Sequence, residues 1–281
     1  MRGYRLLQWL GLAPRLLPSA GDHPALRGCS LAVARGEPPA GWTLLGSSAQ
    51  ARVARGEWQG APVFLKVLLP RHRLEELKAL GRGSRGARAV DRSIQMSRDG
   101  FPTPPVLAYG RVEARLEFVL TQAVPYPAMV ELVTRTSGPA RLNLADRRCL
   151  LRRFGAEIAR LHRAGWVHGD LRLGNVLCDL QQGPEAAEFW YLDNEGSHRS
   201  TKPQDRHRNL IQLAMTRRDH QSRTDQVRML KGYAEGMGID SGDFRQLART
   251  VESARARRWA RRMARGGPKP RFHPEREAER R

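Results

Sequence analysis

The chain is poor in cysteine, lysine and long apolar stretches. Three cysteines in 281 residues (Cys29, Cys149, Cys178) form no CxxC pair and no even-numbered framework. That argues against a disulfide scaffold or a zinc site and for a reducing compartment. No apolar run reaches the ~18–20 residues that a membrane-spanning helix needs. The opening MRGYRLLQWLGLAPRLLP is cut by Gln8, Pro14 and Arg15 and shows no small-residue cleavage site, so it does not read as a signal peptide. Acid is also scarce: 49 Lys+Arg against 28 Asp+Glu leave a net charge of +21. Such a field attracts polyanions of several kinds without choosing among them. Only Lys66, Lys78, Lys202, Lys231 and Lys269 are lysines, so the excess is arginine and each lysine stands out.

Composition and periodicity divide what remains. Residues 1–40, rich in Arg, Pro and Gly, read as an N-terminal arm; Leu6, Leu7, Trp9, Leu10 and Leu12 would give it a short apolar face suited to an anionic lipid surface. Residues 41–121 read as about five strands and one helix. The strands fall at 42–45, 51–55 (followed by a turn around Gly56 and Gly60), 62–69, 106–109 and 116–121, and the helix within 74–98. Residues 122–265 are mostly helical. Leu150, Leu151, Phe154, Ile158 and Leu161 recur at helical spacing, and further helices are predicted over 205–218, 222–237 and 243–264. Residues 266–281 read as a basic, disordered tail. The arginine clusters at 147–153 and 255–265 read as solvated faces, and His162 as a cap or core contact.

The sharpest feature is His168-Gly-Asp170-x-x-x-x-Asn175, in a loop between short apolar strands. Asp170 is placed to accept a proton from a hydroxyl, and Asn175 to hold a metal. Asp193 follows the aromatic strand Phe189-Trp-Tyr-Leu, and a carboxylate at a strand end suits Mg²⁺. Lys66 sits within a buried-looking strand, where a cation needs a partner such as a nucleotide phosphate. A cation on the phosphates, a divalent metal and a hydroxyl-positioning carboxylate are the parts that phosphoryl transfer requires.

From about residue 42 to 215 the order of these parts resembles the protein-kinase-like fold: strand-loop-strand, strand with Lys66, helix, connector, H-x-D-x-x-x-x-N, Asp193. The resemblance implies an α+β, bilobal architecture, with a small antiparallel-sheet lobe and a mostly helical lobe. It assigns Asp170 as catalytic base, Arg172 to the transferred phosphate, Asn175 and Asp193 to Mg²⁺, and Lys66 to the α/β-phosphates of ATP. It makes Gly46, Ser47 and Ser48 a loose match to the phosphate-covering loop and Gln122 to Val124 the adenine-binding connector. Asp91, shorter than the family's usual Glu, is the candidate partner of Lys66.

Gly169 in Leu161-His-Arg-Ala-Gly-Trp-Val-His-Gly-Asp-Leu171 further resembles the lipopolysaccharide core kinases of the Kdo and heptose type. So do Arg82-Gly-Ser-Arg85, Arg208-Asn-Leu-Ile-Gln-Leu213 and Ser222–Tyr233. That resemblance implies a lipopolysaccharide-core or lipid-linked sugar acceptor and a cytoplasmic enzyme peripheral on the inner membrane. It implies an anionic membrane surface as partner, with neither nucleic acid nor an obligate protein partner. A protein or small-molecule kinase on the same fold, and an inactive anion-binding module, remain the alternatives.

Overall fold

Alternating residues along the strands of the first half face opposite ways, which gives the sheet two different faces. The computed structural model describes residues 24–70, 83–113, 116–134, 140–216, 220–267 and 271–272. Numbered in chain order, β1 (Thr43–Leu45), β3 (Ala51–Trp58), β4 (Ala61–Leu68), β5 (Val106–Glu113) and β6 (Leu116–Gln122) form an antiparallel sheet ordered β1-β3-β4-β6-β5. Strands β3 and β4 join through Gln59 and Gly60, whose φ angles of 52° and 78° make the two-residue turn that matches strand twist. Gly56, expected at that turn, instead lies within β3. A Cβ there would sit 2.2 Å from the Trp42 ring, so the glycine provides a flat seat for the indole.

One sheet face buries Leu65, Val67, Phe118 and Leu120 against helix α1 (Pro24–Arg35), which contributes Leu26 and Val33. The second part of the expected arm is therefore core. Leu26, Ser30 and Val33, spaced four and three apart, form its buried stripe. Leu6 to Leu12 lie outside the described residues.

The other face carries Lys66, which pairs with Val53 and Val119. Helix α2 (Arg85–Arg98) covers this face, with Val90 and Ile94 packed against Val119 and Tyr109. Its first turn is seated on a buried carboxylate. Glu117 accepts the Gly86 N–H at 3.1 Å and the Tyr109 hydroxyl at 3.0 Å, and Ser84 caps the helix by accepting from the Ala87 N–H. A Cβ on Gly86 would meet the Tyr109 ring at 2.5 Å, so only glycine lets the helix approach this closely. The remainder of the helix expected from residue 74, up to 82, lies outside the described residues.

The second unit is mostly helical: α3 (Met129–Val133), α4 (Leu144–Arg163), α5 (Pro203–Ala214), α6 (Arg223–Met237) and α7 (Ser241–Ala264). Two small antiparallel pairs join them: β7 (Trp166–Val167) with β10 (His198–Arg199), and β8 (Val176–Asp179) with β9 (Glu188–Tyr191). Helices α4 and α6 meet backbone to backbone. A Cβ on Gly155 would fall 1.9 Å from the Met229 carbonyl oxygen, and one on Gly232 2.0 Å from that of Arg152. Asn143 caps α4, and a Ser222/Asp225 capping box starts α6.

The expected class, an antiparallel sheet and a largely helical remainder, is the one found. The first unit comprises the described residues to Ile94, Pro104–Val124 and the pair 271–272; the second comprises Gln95–Thr103 and the described residues from Pro125 to 267. Within the tail expected to be disordered, β11 (Arg271–Phe272) pairs with β2 (Ser47–Ser48), Arg271 opposite Ser48. The rest of that tail beyond residue 267 lies outside the described residues.

If α1 is core, Leu26→Ala should lower stability by about 2–4 kcal/mol, as for other buried leucines. A urea midpoint unchanged from wild type would return residues 24–35 to the status of a loose arm.

Candidate active site

The loop after β7 has few ladder bonds of its own, so side chains must satisfy its peptide groups. Two residues of α5 do this. Asn209 donates through Nδ2 to the His168 carbonyl at 2.6 Å and accepts the His168 N–H at 2.9 Å. Gln212 accepts the Leu171 N–H at 3.2 Å and donates to the Gly169 carbonyl at 3.1 Å. Asn209 also donates to Gln212 at 2.9 Å, so the two amides act as one clamp. Behind them, His162 Nε2 bonds Asn209 Oδ1 at 3.2 Å, and the Tyr233 hydroxyl bonds His162 Nδ1 at 3.0 Å. An acceptor at Oδ1 requires the proton on Nε2, so Tyr233 donates to Nδ1. Burial holds the His162 imidazole neutral, with its pKa lowered to about 4.

His168 ties the loop to the segment after β9. Its Nε2 donates to the Leu192 carbonyl at 2.9 Å, while its Nδ1 accepts the Asp170 N–H at 3.1 Å. Burial lowers its pKa as well. A second tie is steric. A Cβ on Gly169 would lie 2.4 Å from both Cα and C of Gly196, so the two loops touch backbone to backbone. A third is the Leu192 N–H donated to the Asn175 carbonyl at 2.9 Å. These ties bring Asp170, Asn175 and Asp193 into one frame.

Within that frame, Asp170 Oδ1 accepts from Arg172 Nε at 2.8 Å. The Arg172 side chain is 54% exposed, so the pair orients the carboxylate more than it stabilises the fold. Asn175 donates through Nδ2 to the Asp170 carbonyl at 2.8 Å, with Oδ2 of Asp170 at 3.4 Å. Its amide nitrogen is thereby directed at the loop, which leaves Oδ1 as the oxygen available to a cation. Asp193 takes φ 59° and ψ 50°, the left-handed region that Asp and Asn tolerate better than other side chains. No group of three or more His, Cys, Asp or Glu side chains among the described residues could hold a metal ion. One carboxylate and one amide oxygen nevertheless suit Mg²⁺, which takes hard oxygen donors and is commonly completed by substrate phosphates and water.

The other expected site residues lie in the sheet unit. Lys66 stands mid-strand in β4, and Asp91 lies on α2, the helix covering the same sheet face. Burial pushes the Asp91 carboxyl up, and the guanidinium of Arg92 draws it partly back. Gly46 separates β1 from β2. Ser47 donates to the Ala51 carbonyl at 3.0 Å, and the Ser47 and Ser48 backbones face β11. The Gln122 and Ala123 amides bond the Pro105 and Pro62 carbonyls, with Val124 next in the chain.

Asn209, Gln212 and Tyr233 went unassigned in the sequence, although two of the quoted stretches contain them. The available signal was a polar pair at i and i+3 on the same side of α5 as Leu210 and Leu213. His162, read as a cap or core contact, is a buried link in the chain of bonds that ends at His168.

A model of the lipopolysaccharide kinase (Kdo/WaaP) family matches residues 89–233. That span runs from α2 through the Asp170 loop and ends at Tyr233. The chain is 29% identical over 135 residues to a probable bifunctional tRNA threonylcarbamoyladenosine biosynthesis protein of Methanothermobacter thermautotrophicus. That match takes in 48% of this chain but only 22% of the archaeal protein, so the chain spans about a fifth of that relative's length. Among solved structures it is similar to WaaP in complex with acyl carrier protein, with a TM-score of 0.54 and 20% identity over 85% of this chain and 99% of that one. At that identity the likeness establishes a shared fold.

The His162 environment generates a pH prediction. Its pKa falls from about 6.5 in the unfolded chain to about 4 in the folded one, so the unfolded chain binds the proton first as pH drops. The stabilisation is complete above about pH 6.5 and is lost as pH falls towards about 4, amounting to about 3 kcal/mol. Thermal melts over this range should fall more steeply for wild type than for His162→Gln. Parallel curves would refute the assignment.

Proposed function

The chain belongs to the lipopolysaccharide kinase (Kdo/WaaP) family, and from that membership we propose that it is an ATP-dependent kinase that transfers the γ-phosphate of ATP to a hydroxyl of Kdo or heptose in lipopolysaccharide core, at the cytoplasmic face of the inner membrane. The observation that carries this reading is the frame joining Asp170, Asn175 and Asp193 through His168, Leu192 and the Gly169–Gly196 contact. No helix among the described residues is long and apolar enough to cross a membrane.

The proposed chemistry assigns a task to each side chain. Arg172 holds Oδ1 of Asp170, and Oδ2, which also has Asn175 Nδ2 at 3.4 Å, would accept the proton of the attacking sugar hydroxyl. The hydroxyl oxygen forms a bond to the γ-phosphorus as the bond from that phosphorus to the β–γ bridging oxygen breaks, and ADP leaves with the electron pair. Mg²⁺, held by Asn175 Oδ1 and the Asp193 carboxylate, would neutralise charge on the phosphates. Lys66 is assigned the α/β-phosphates, with Asp91 on the helix covering its face as the carboxylate that orients it. Gln122 to Val124 would receive the adenine, and Gly46, Ser47 and Ser48 would cover the phosphates. The clamp of Asn209 and Gln212 would keep Asp170 in place without touching substrate.

The test is transfer of labelled phosphate from Mg-ATP to a purified lipopolysaccharide-core acceptor. Asp170→Asn should lower kcat by about 10²–10⁴-fold, the usual contribution of a positioned base. Gly169→Ala, which forces the two loops apart, should cost about 10²-fold while every reacting side chain remains. Full activity in Asp170→Asn, or label entering only acceptors other than core sugar, would overturn the reading.

A further inference from the structure

Helix α7 is amphipathic twice, in two different directions. Its first half buries Leu247 and Val251, with Phe244 and Ala248 half-buried against the helical unit's core. At about 100° per residue these four form one stripe. No residue of the helix is buried after Val251. A second stripe then begins, with Ala256, Trp259, Ala260 and Met263 at the same i, i+3, i+4, i+7 spacing. It is turned about 120° around the axis from the first, so it does not continue towards the core. Ala256 and Ala260 are exposed, Trp259 is half-buried, and Met263 is 53% exposed.

Most of the remainder of that half is arginine. Arg257 and Arg262 border the second stripe on either side, and Arg258, Arg261 and Arg265 fill the opposite face. No acid occurs between 253 and 267. The Arg262 guanidinium stands over the Trp259 ring, 5.8 Å from its centroid, at one edge of the stripe. Alanine and arginine are strong helix formers, which sustains these turns beyond the core. All of this lies past residue 233, where the family match ends.

We propose that the second half of α7 docks the protein on an anionic bilayer: Trp259 and Met263 enter the boundary between headgroups and acyl chains, and the flanking arginines bind headgroup phosphates. An Arg-rich polar face opposite a Trp-bearing apolar face is the pattern of helices that lie in a membrane interface. Nucleic acid would account for the arginines but not for an apolar stripe aimed at solvent between them. The proposal rests on the reading of the acceptor as lipid-linked, since docking would bring the enzyme to the surface that holds it.

The full chain would be sedimented with phosphatidylcholine vesicles, with and without phosphatidylglycerol, at low and high salt. Partition should be at least roughly tenfold greater onto the anionic vesicles and should fall as salt rises. The double variant Arg257→Glu/Arg262→Glu, which reverses the charge on both edges of the stripe, should lose roughly tenfold or more. Met263→Ser should bind more weakly with the same salt dependence. Vesicles with bromine on the acyl chains should quench tryptophan fluorescence in wild type and much less in Trp259→Phe. Wild type failing to bind anionic vesicles, the double variant binding like wild type, or quenching unaltered in Trp259→Phe would each overturn the proposal. So would retention on acyl carrier protein or single-stranded DNA in place of vesicles. Transfer to a detergent-dispersed core acceptor tests the reading of function separately. The double variant should retain that rate, and its loss in wild type would refute the acceptor while leaving the docking result to stand.

Discussion

Four peptide groups of residues 168–171 are satisfied by two amides on one helix, and the arrangement of the reacting residues depends on that exchange. A loop with unmet donors and acceptors cannot be buried cheaply, and regular pairing would fix Asp170 in a strand rather than a turn. Asn209 and Gln212 bond both edges of the loop backbone and are held in turn by His162 and Tyr233. In a buried network of this kind every member needs its partners, so loss of one group exposes the rest to an unmet bond. The same helices meet through Gly155 and Gly232, which brings Tyr233 to His162. Packing at the α4–α6 crossing and the geometry around Asp170 are thus parts of one construction.

Much of the fold was legible because its signals are local. The five strands of the sheet, the long helix ending at Arg163 and the three later helices follow from periodicity that a short window contains. The H-x-D-x-x-x-x-N spacing did the same for Asp170, Asn175 and, one strand on, Asp193. What escaped was set by partners distant in sequence. The arginine and proline content of residues 1–40 hid the stripe of Leu26, Ser30 and Val33, which acquires meaning only against Leu65 and Phe118. Gly56 looked like a turn because nothing local announces that Trp42 lies over it. Glu117 looked like an ordinary strand residue until Gly86 and Tyr109 converged on its carboxylate.

Charge was the least informative property at sequence level and becomes more so once placed. A net charge of +21 spread over an arginine-rich chain distinguishes little. Some of that arginine is engaged internally: Arg160 bonds Glu157, Arg152 bonds Glu235, and Arg172 bonds Asp170. From Arg257 onward α7 differs in having no acid within four residues along its own sequence and an apolar stripe beside it. The helix as a whole lacks a single apolar face because its two halves point in different directions, and an average over 24 residues cancels them.

The backbone of Asp193 has a consequence for how its contribution can be measured. At φ 59° the residue occupies a conformation that costs most side chains roughly 1–2 kcal/mol, and aspartate and asparagine less. Replacing it with alanine changes two quantities at once, the charge at the site and the shape preference of the loop that meets Gly169. Asparagine removes the charge and keeps the preference, whereas glycine removes the side chain and relaxes the backbone. The difference between those two substitutions therefore separates what the carboxylate does from what the turn does, a separation that the alanine variant alone cannot provide.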